Sequence, residues 1–369
     1  MKSILLFTGI YPPDIGGPAT FIPQLEEFLR SKGQNFHTVR LADSKSDSRL
    51  TSGKATVVKR SLWLPIRVCR VIFSGLRQSR RADVIFANGL YEEAALVSLL
   101  SRKPLVCKVV GNPAWESLQM IKASDSLKSS SLEEFDLNRL SLSLRTRYWL
   151  WKLALRQATV LIAPSRSFGR HLESLNFRAP IYVIENGTSI PVLSYEGYEY
   201  DVVAISRLVP WKNLDILIQA AKNYQFSLAI VGDGPDQSRL REYAQDDKRI
   251  TFLGRVESSR IGKCLESSKV YALVSTYEGL SYSLIEALAH AKACVVSDNQ
   301  GNLDALQESD AAMIVPIRDV ASTGEAIRKL LNDSDFRQIL EAKAKFLAVK
   351  SYNKDRQLKK IWETINSVL

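Results

Sequence analysis

The chain has 369 residues, 46% of them hydrophobic and 24% charged. That ordinary globular balance excludes wholesale disorder, a collagen repeat and an extended coiled coil. At roughly 150 residues per domain the length predicts about two domains. No stretch of 18 uncharged apolar residues occurs, so no transmembrane helix is expected. The net charge is +11, and it is unevenly placed: residues 1–190 hold 27 Lys and Arg against 15 Asp and Glu, whereas residues 191–369 hold 23 against 24. A basic first half predicts an anionic partner, whether phospholipid, nucleic acid or a phosphorylated substrate. Four cysteines (Cys69, Cys107, Cys264, Cys294) stand far apart in no metal or redox spacing, which suits reduced, buried thiols in the cytosol. Three scattered histidines (His37, His171, His290) make a zinc site or a serine-hydrolase triad hard to build; His290 reads as structural.

In chain order, the apolar run at 4–7 is too short for a signal peptide and suits a first buried strand. Short β-branched runs follow at 36–41, 56–58, 84–86, 105–109, 160–162 and 181–184. Amphipathic stretches at 19–32, 65–81, 92–101, 140–157 and 166–175 alternate with them. A polar segment over 117–140 reads as a long loop. The stretch 185–200 reads as an interdomain connection, after which the alternation restarts. Strands are expected at 202–205, 227–231, 250–252, 270–274, 293–297 and 312–315. Helices are expected at 212–222, 235–245, 257–267, 281–291 and 319–332, and 334–369 reads as wholly helical. The reading is α/β: two Rossmann-like doubly wound domains over 1–190 and 200–350, facing across a cleft that is the default ligand site.

Three segments carry candidate chemistry. The loop after the first strand contains Gly16 and Gly17 just before a helix, which permits close approach of an anion to the backbone or is a plain turn. Arg207 and Lys212 follow a strand of the second half; a planar fork and a point charge suit a diphosphate, and a solvated pair is the bland alternative. The sharpest run is Thr276–Ala289. Glu278 precedes a helix, Gly279, Leu280 and Ser281 lead into it, and Glu286 sits among apolar residues within it. A carboxylate at such a position needs a partner. A ribose diol would supply one, as would an internal salt bridge.

These segments, with Glu185-Asn186-Gly187, Val231–Pro235 and Phe252–Val256, resemble family 4 glycosyltransferases in order and spacing over nearly the whole chain. The resemblance implies a retaining enzyme of GT-B architecture, with a terminal helix near 351–369 crossing back to the first domain. It implies that Arg207 and Lys212 hold the donor diphosphate, that Glu278 contacts the donor sugar and that Glu286 binds the nucleotide ribose. Gly279, Leu280 and Ser281 would offer amides, Gly16 and Gly17 would complete the phosphate pocket, and Arg255 and Val256 would flank the base. No metal or other cofactor is expected. Val109–Glu116 departs from the family, which often has a histidine there. Asn112 stands where a subgroup has Asp, with Trp115 and Glu116 as acceptor-side candidates. Ala291 replaces a usual Gly.

Arg67, Arg70, Arg77 and Arg81 recur at spacings that predict one helical stripe completed by Ser74, with Val68, Val71, Ile72 and Leu76 toward the sheet. A second cluster holds Arg145, Arg147, Tyr148, Trp149, Trp151, Lys152 and Arg156. Basic residues interleaved with Trp suit an anionic membrane surface, or are a solvated helix face; no nucleic-acid-binding motif accompanies them. The expectation is a cytoplasmic glycosyltransferase, open to a peripheral place on the inner face of the membrane. It would move a sugar from a nucleotide-sugar to a saccharide or lipid-linked acceptor in polysaccharide, lipopolysaccharide or glycolipid assembly. The alternatives are a non-catalytic sugar-nucleotide or membrane-binding protein, or another GT-B enzyme such as a nucleotide-sugar epimerase.

Overall fold

The computed structural model describes residues 2–12, 14, 17–43, 55–120, 136–193 and 197–369. The chain divides into two compact units. One comprises Met1–Leu118, Asp136–Ile184 and Leu358–Leu369; the other contains Glu185–Gln357.

The first unit runs β1 (Ser3–Thr8), α1 (Gly17–Ser31), β2 (Asn35–Ala42), β3 (Ala55–Lys59), α2 (Leu64–Ser79), β4 (Val84–Asn88), α3 (Tyr91–Ser101), β5 (Leu105–Lys108), α4 (Pro113–Met120), α5 (Leu142–Arg156), β6 (Val160–Ala163), α6 (Arg166–Ser174) and β7 (Ile181–Val183). Its seven strands order as β3-β2-β1-β4-β5-β6-β7, and every pairing is parallel. Strands β4, β5 and β6 are buried at every residue. That explains why they read as continuous apolar runs rather than alternating ones.

The second unit runs β8 (Tyr200–Ile205), α7 (Leu214–Tyr224), β9 (Leu228–Val231), α8 (Gln237–Ala244), β10 (Ile250–Gly254), α9 (Ser258–Glu266), β11 (Ser268–Leu273), α10 (Tyr282–Ala289), β12 (Ala293–Ser297), α11 (Gln300–Leu306), β13 (Met313–Val315), α12 (Val320–Asn332) and α13 (Ser334–Ser351). The closing helix α14 (Lys354–Asn366) belongs to the first unit from Leu358 onward. The six strands order as β10-β9-β8-β11-β12-β13, again parallel. Successive residues of one strand enter two separate cores. Val202, Ala204, Val270 and Ala272 join one cluster, and Val203, Ile205, Tyr271 and Leu273 the other. This period of two places a packed layer on each face of the sheet.

Four expectations change. Short helix α4 occupies a segment read as motif and loop, and α11 lies in a segment for which no element is expected. The helix expected over 212–222 is a single turn at Pro210–Lys212 followed by α7, because Asn213 adopts φ 50 between them. The terminal stretch breaks at Tyr352-Asn353, where Asn353 pairs with Thr188. The arginine stripe also divides. Arg70, Arg77 and Arg81 are exposed, whereas Arg67 is half-buried and donates to the Arg60 carbonyl at 3.0 Å. Phe73, rather than Ser74, lies on the outer line between Arg70 and Arg77.

Candidate active site

In an open parallel sheet, ligands bind at the carboxyl ends of the strands where the strand order reverses. In the second sheet that point lies between β8 and β11. The loops leaving these two strands hold Arg207 and Lys212 on one side and Glu278 on the other. The Lys212 ammonium donates to Glu278 Oε1 at 2.5 Å, and Ser275 Oγ donates to the same oxygen at 2.6 Å. Both partners of the ion pair are largely enclosed, where a charge-assisted bond is stronger than in water.

Backbone chemistry fixes these loops to each other. Asn213 in its left-handed conformation turns its Nδ2 to the Val274 carbonyl and to Thr276 Oγ1, both at 2.9 Å. The Thr276 amide returns a bond to the Trp211 carbonyl at 2.8 Å. The Ser275 carbonyl accepts from Ser297 Oγ and Asn299 Nδ2. At Gly301 a Cβ would fall 2.0 Å from the Glu278 carbonyl oxygen, so α11 rests on the Glu278 backbone. Gly232 (φ 131) lets the β9 loop pass the Ser206 carbonyl, where a Cβ would come within 1.9 Å. Arg207 is exposed, its guanidinium 5.6 Å from the centre of the Trp211 ring.

Ser281 caps α10 by accepting from the Leu284 amide, which leaves Gly279 and Leu280 in the loop just before the helix. Glu286 lies one turn in. Among the described residues its carboxylate has no hydrogen-bond or ion-pair partner, and burial raises its pKa to about 7. The buried Tyr271 hydroxyl, bonded to Ser283 Oγ at 2.8 Å, feels both Glu278 and Glu286; burial first and these carboxylates second push its pKa up. Arg255 is exposed just past β10, and Val256 packs against the core beside it.

The structure thus gathers Arg207, Lys212, Glu278, Gly279, Leu280, Ser281 and Glu286 on the loops after β8 and β11 and on α10. Gly17 opens α1 in the first unit; Gly16 lies outside the described residues. Asn112 is buried at the start of α4, where its Oδ1 accepts from the Ala114 and Trp115 amides at 3.1 and 3.2 Å. It is therefore a helix cap. Its Nδ2 has no partner among the described residues. Trp115 is buried, and the Glu116 carboxylate lies over Gly111, where a Cβ would come 2.3 Å from Oε1. Asn186 and Gly187 do mechanical work: Asn186 Nδ2 donates to the Leu280 carbonyl at 2.9 Å and the Gly187 amide to Gln357 Oε1 at 3.0 Å. A polar residue beside glycine in the connection was the available signal for that role. Burial lowers His171 and His290 to about 4, which leaves both neutral.

Comparison with known proteins gives matches along most of the chain. Residues 191–346 match the model for glycosyl transferases group 1, and residues 16–187 match a glycosyl transferase 4-like domain. A poly(ribitol-phosphate) alpha-N-acetylglucosaminyltransferase of Staphylococcus aureus is 25% identical over 172 residues, 44% of this chain and 34% of that protein. A GDP-mannose-dependent alpha-(1-6)-phosphatidylinositol monomannoside mannosyltransferase of Mycobacterium tuberculosis is 29% identical over 154 residues, 38% of this chain and 40% of that one. The matched stretch spans from a third to just over half the length of such curated relatives. Among solved structures, Anabaena Alr3699/HepE in complex with UDP and glucose superposes over 100% of both chains with a TM-score of 0.78 at 20% identity. This likeness establishes the two-domain GT-B fold.

Proposed function

The chain belongs to the group 1 glycosyltransferases, and on that basis we propose that it moves a sugar from a nucleotide-sugar donor to a saccharide or lipid-linked acceptor with retention at the anomeric carbon. The observation that carries this reading is the pairing of Lys212 with Glu278 at the strand-order reversal, with the partnerless, half-buried Glu286 on the next helix. Glu286 would accept both hydroxyls of the donor ribose, an arrangement that gives each carboxylate oxygen a hydrogen bond. Arg207 and Lys212 would face the diphosphate. Glu278, held by Lys212 and Ser275 through one oxygen, would offer its other oxygen to the donor sugar. Arg255 and Val256 would flank the base.

The anomeric carbon–oxygen bond to the diphosphate breaks as negative charge grows on the phosphate. Fixed cations stabilise that charge, so the positive charge the reaction requires comes from side chains rather than from a metal. The acceptor oxygen bonds to the anomeric carbon on the departing face, and its proton passes to the leaving phosphate. The S. aureus and M. tuberculosis relatives act, by their names, on a phosphate-linked polymer and a phosphatidylinositol glycoside. Both support an acceptor in polysaccharide or glycolipid assembly.

The test is calorimetric binding of UDP-, GDP- and ADP-sugars across pH 6 to 8. A carboxylate that titrates at about 7 accepts two hydroxyl bonds only when ionised. Affinity for the recognised donor is therefore expected to rise with pH through about 7, and Glu286→Gln is expected to bind more weakly with a flat profile. A wild-type protein that binds none of these donors, or a Glu286→Gln variant with unchanged affinity, sinks the assignment.

A further inference from the structure

Helices α2, α3 and α5 lie side by side, α3 in the middle. Gly75 permits the close approach of α2: a Cβ there would come 2.8 Å from Val97 Cγ2 on α3 and 2.7 Å from Phe7 Cζ on β1. The inner side of α3 buries Ala94, Val97 and Ser98. Its outer side carries Leu96, Leu99 and Leu100, which are 44%, 56% and 64% exposed. These three fall at i, i+3 and i+4 and so form one stripe. A helix apolar on both sides is ordinarily enclosed. Here no described residue covers the outer side.

The flanking helices extend the stripe in both directions. On α2, Ile66, Arg70, Phe73 and Arg77 share an outer line, and Phe73 is 70% exposed. On α5, Leu142, Trp149, Leu150 and Leu153 face outward. Together α2 and α5 hold seven basic residues and no acidic one. Between α2 and β3 the same apolar lining continues into a groove of about 750 Å³ that shares Ile66, Arg70 and Phe73.

We propose that this three-helix face seats the protein on an anionic lipid bilayer, with the outer leucines of α3 entering the acyl region. Charge decides the occupant. A second copy docked face to face would set two unrelieved basic surfaces against each other. A bilayer instead offers an apolar interior beneath anionic headgroups, which matches leucines in the centre and arginines on both flanks. Trp63 and Trp149, exposed beside the apolar stripe, suit the headgroup level. This inference makes no use of the donor-site residues, so its fate is separate from theirs.

The test is co-sedimentation of the full chain with vesicles of phosphatidylcholine alone and of equimolar phosphatidylcholine and phosphatidylglycerol. The wild-type protein is expected to sediment with the mixed vesicles and far less with the neutral ones. The Leu96→Ser/Leu99→Ser/Leu100→Ser variant is expected to lose roughly tenfold or more in partition. Arg70→Glu/Arg77→Glu is expected to lose the preference for phosphatidylglycerol. Thermal melts check that each variant folds, and Leu99→Asp alone serves if the triple variant does not. No binding by the wild type, or undiminished binding by a folded leucine variant, overturns the proposal. So does a wild-type dimer in solution that the leucine variant converts to monomer, since a second copy would then cover the face.

Discussion

The two sheets share one topological plan, yet they spend their polar groups differently. At the carboxyl ends of β8 and β11 the charged groups converge on one another and on open loop: Lys212 on Glu278, with Arg207 outward and Glu286 behind. In the first unit the strand-borne bases turn inward. Arg40 is fully buried with its guanidinium 4.0 Å from the Tyr11 ring centre, and Lys108 is buried with its amine 4.7 Å from that of Phe21. Burial alone lowers the Lys108 pKa to about 7. Tyr11 and Thr38 donate to the Glu26 carboxylate, closing a polar network inside the fold. The contrast is one of surroundings: Lys212 is paired with a carboxylate between two loops of the second sheet, whereas Arg40 and Lys108 are packed against aromatic rings inside the first unit.

Removing the Lys212 ammonium is the strongest way to break this contrast. Lys212→Ala is expected to cut turnover by about 10²–10³, the range for losing a fixed group that stabilises developing negative charge. Lys108→Met, similar in length but neutral, is expected to keep most of the turnover. Steady-state kinetics with the recognised donor decide between them; a Lys108 variant as damaged as the Lys212 variant would erase the distinction. A smaller effect is expected at Asn112. Asn112→Ala removes the α4 cap and is expected to cost about 1 kcal/mol of stability, read as a lower Tm. Asn112→Asp, an equally good cap, is expected to keep it. If both variants instead melt like the wild type while turnover falls, the free Nδ2 acts on the acceptor and the capping role is secondary.

Much of the fold was legible because doubly wound sheets announce themselves by alternation. Most of the described strands carry β-branched or aromatic runs bounded by turn residues. The elements without a periodic signature are short helices set by caps rather than by apolar period. Helix α4 starts from the Asn112 side chain followed by Pro113, and α11 starts from the Asn299 cap over Gln300-Gly301. Asn213 could not be read as a break, since its left-handed turn is stabilised by Val274 and Thr276, some sixty residues away. The donor-side candidates were legible because a strand–loop–helix unit carries its loop to the strand's carboxyl end whatever else the chain does. The salt bridge between Lys212 and Glu278 was not, because it joins two such units. The outer leucines of α3 were equally hidden, since 92–101 reads as an amphipathic stretch, whereas Leu96, Leu99 and Leu100 make its outward side apolar as well.

The smallest expected effect lies at the end of the helix that carries Glu286, and it separates the stability of this helix from its chemistry. Helix α10 ends in a Schellman turn. The Lys292 amide bonds to the Ala287 carbonyl and the Ala291 amide to the Leu288 carbonyl, both at 3.0 Å. This closure requires the left-handed conformation at residue 291, where φ is 51. Glycine adopts it freely; alanine brings its Cβ against the following carbonyl, at about 1–2 kcal/mol. Glycine's freer unfolded chain returns about 0.4–1 kcal/mol of that difference. Ala291→Gly is therefore expected to stabilise the protein by roughly 0.5–1 kcal/mol, seen as a Tm higher by about 1–4 °C. Donor affinity is expected to stay unchanged, because residue 291 lies beyond the helix end, away from the loop before α10. A lower Tm would mean that the Ala291 methyl contributes packing that outweighs its strain. A changed donor affinity would mean that the helix end and the Glu286 carboxylate move together.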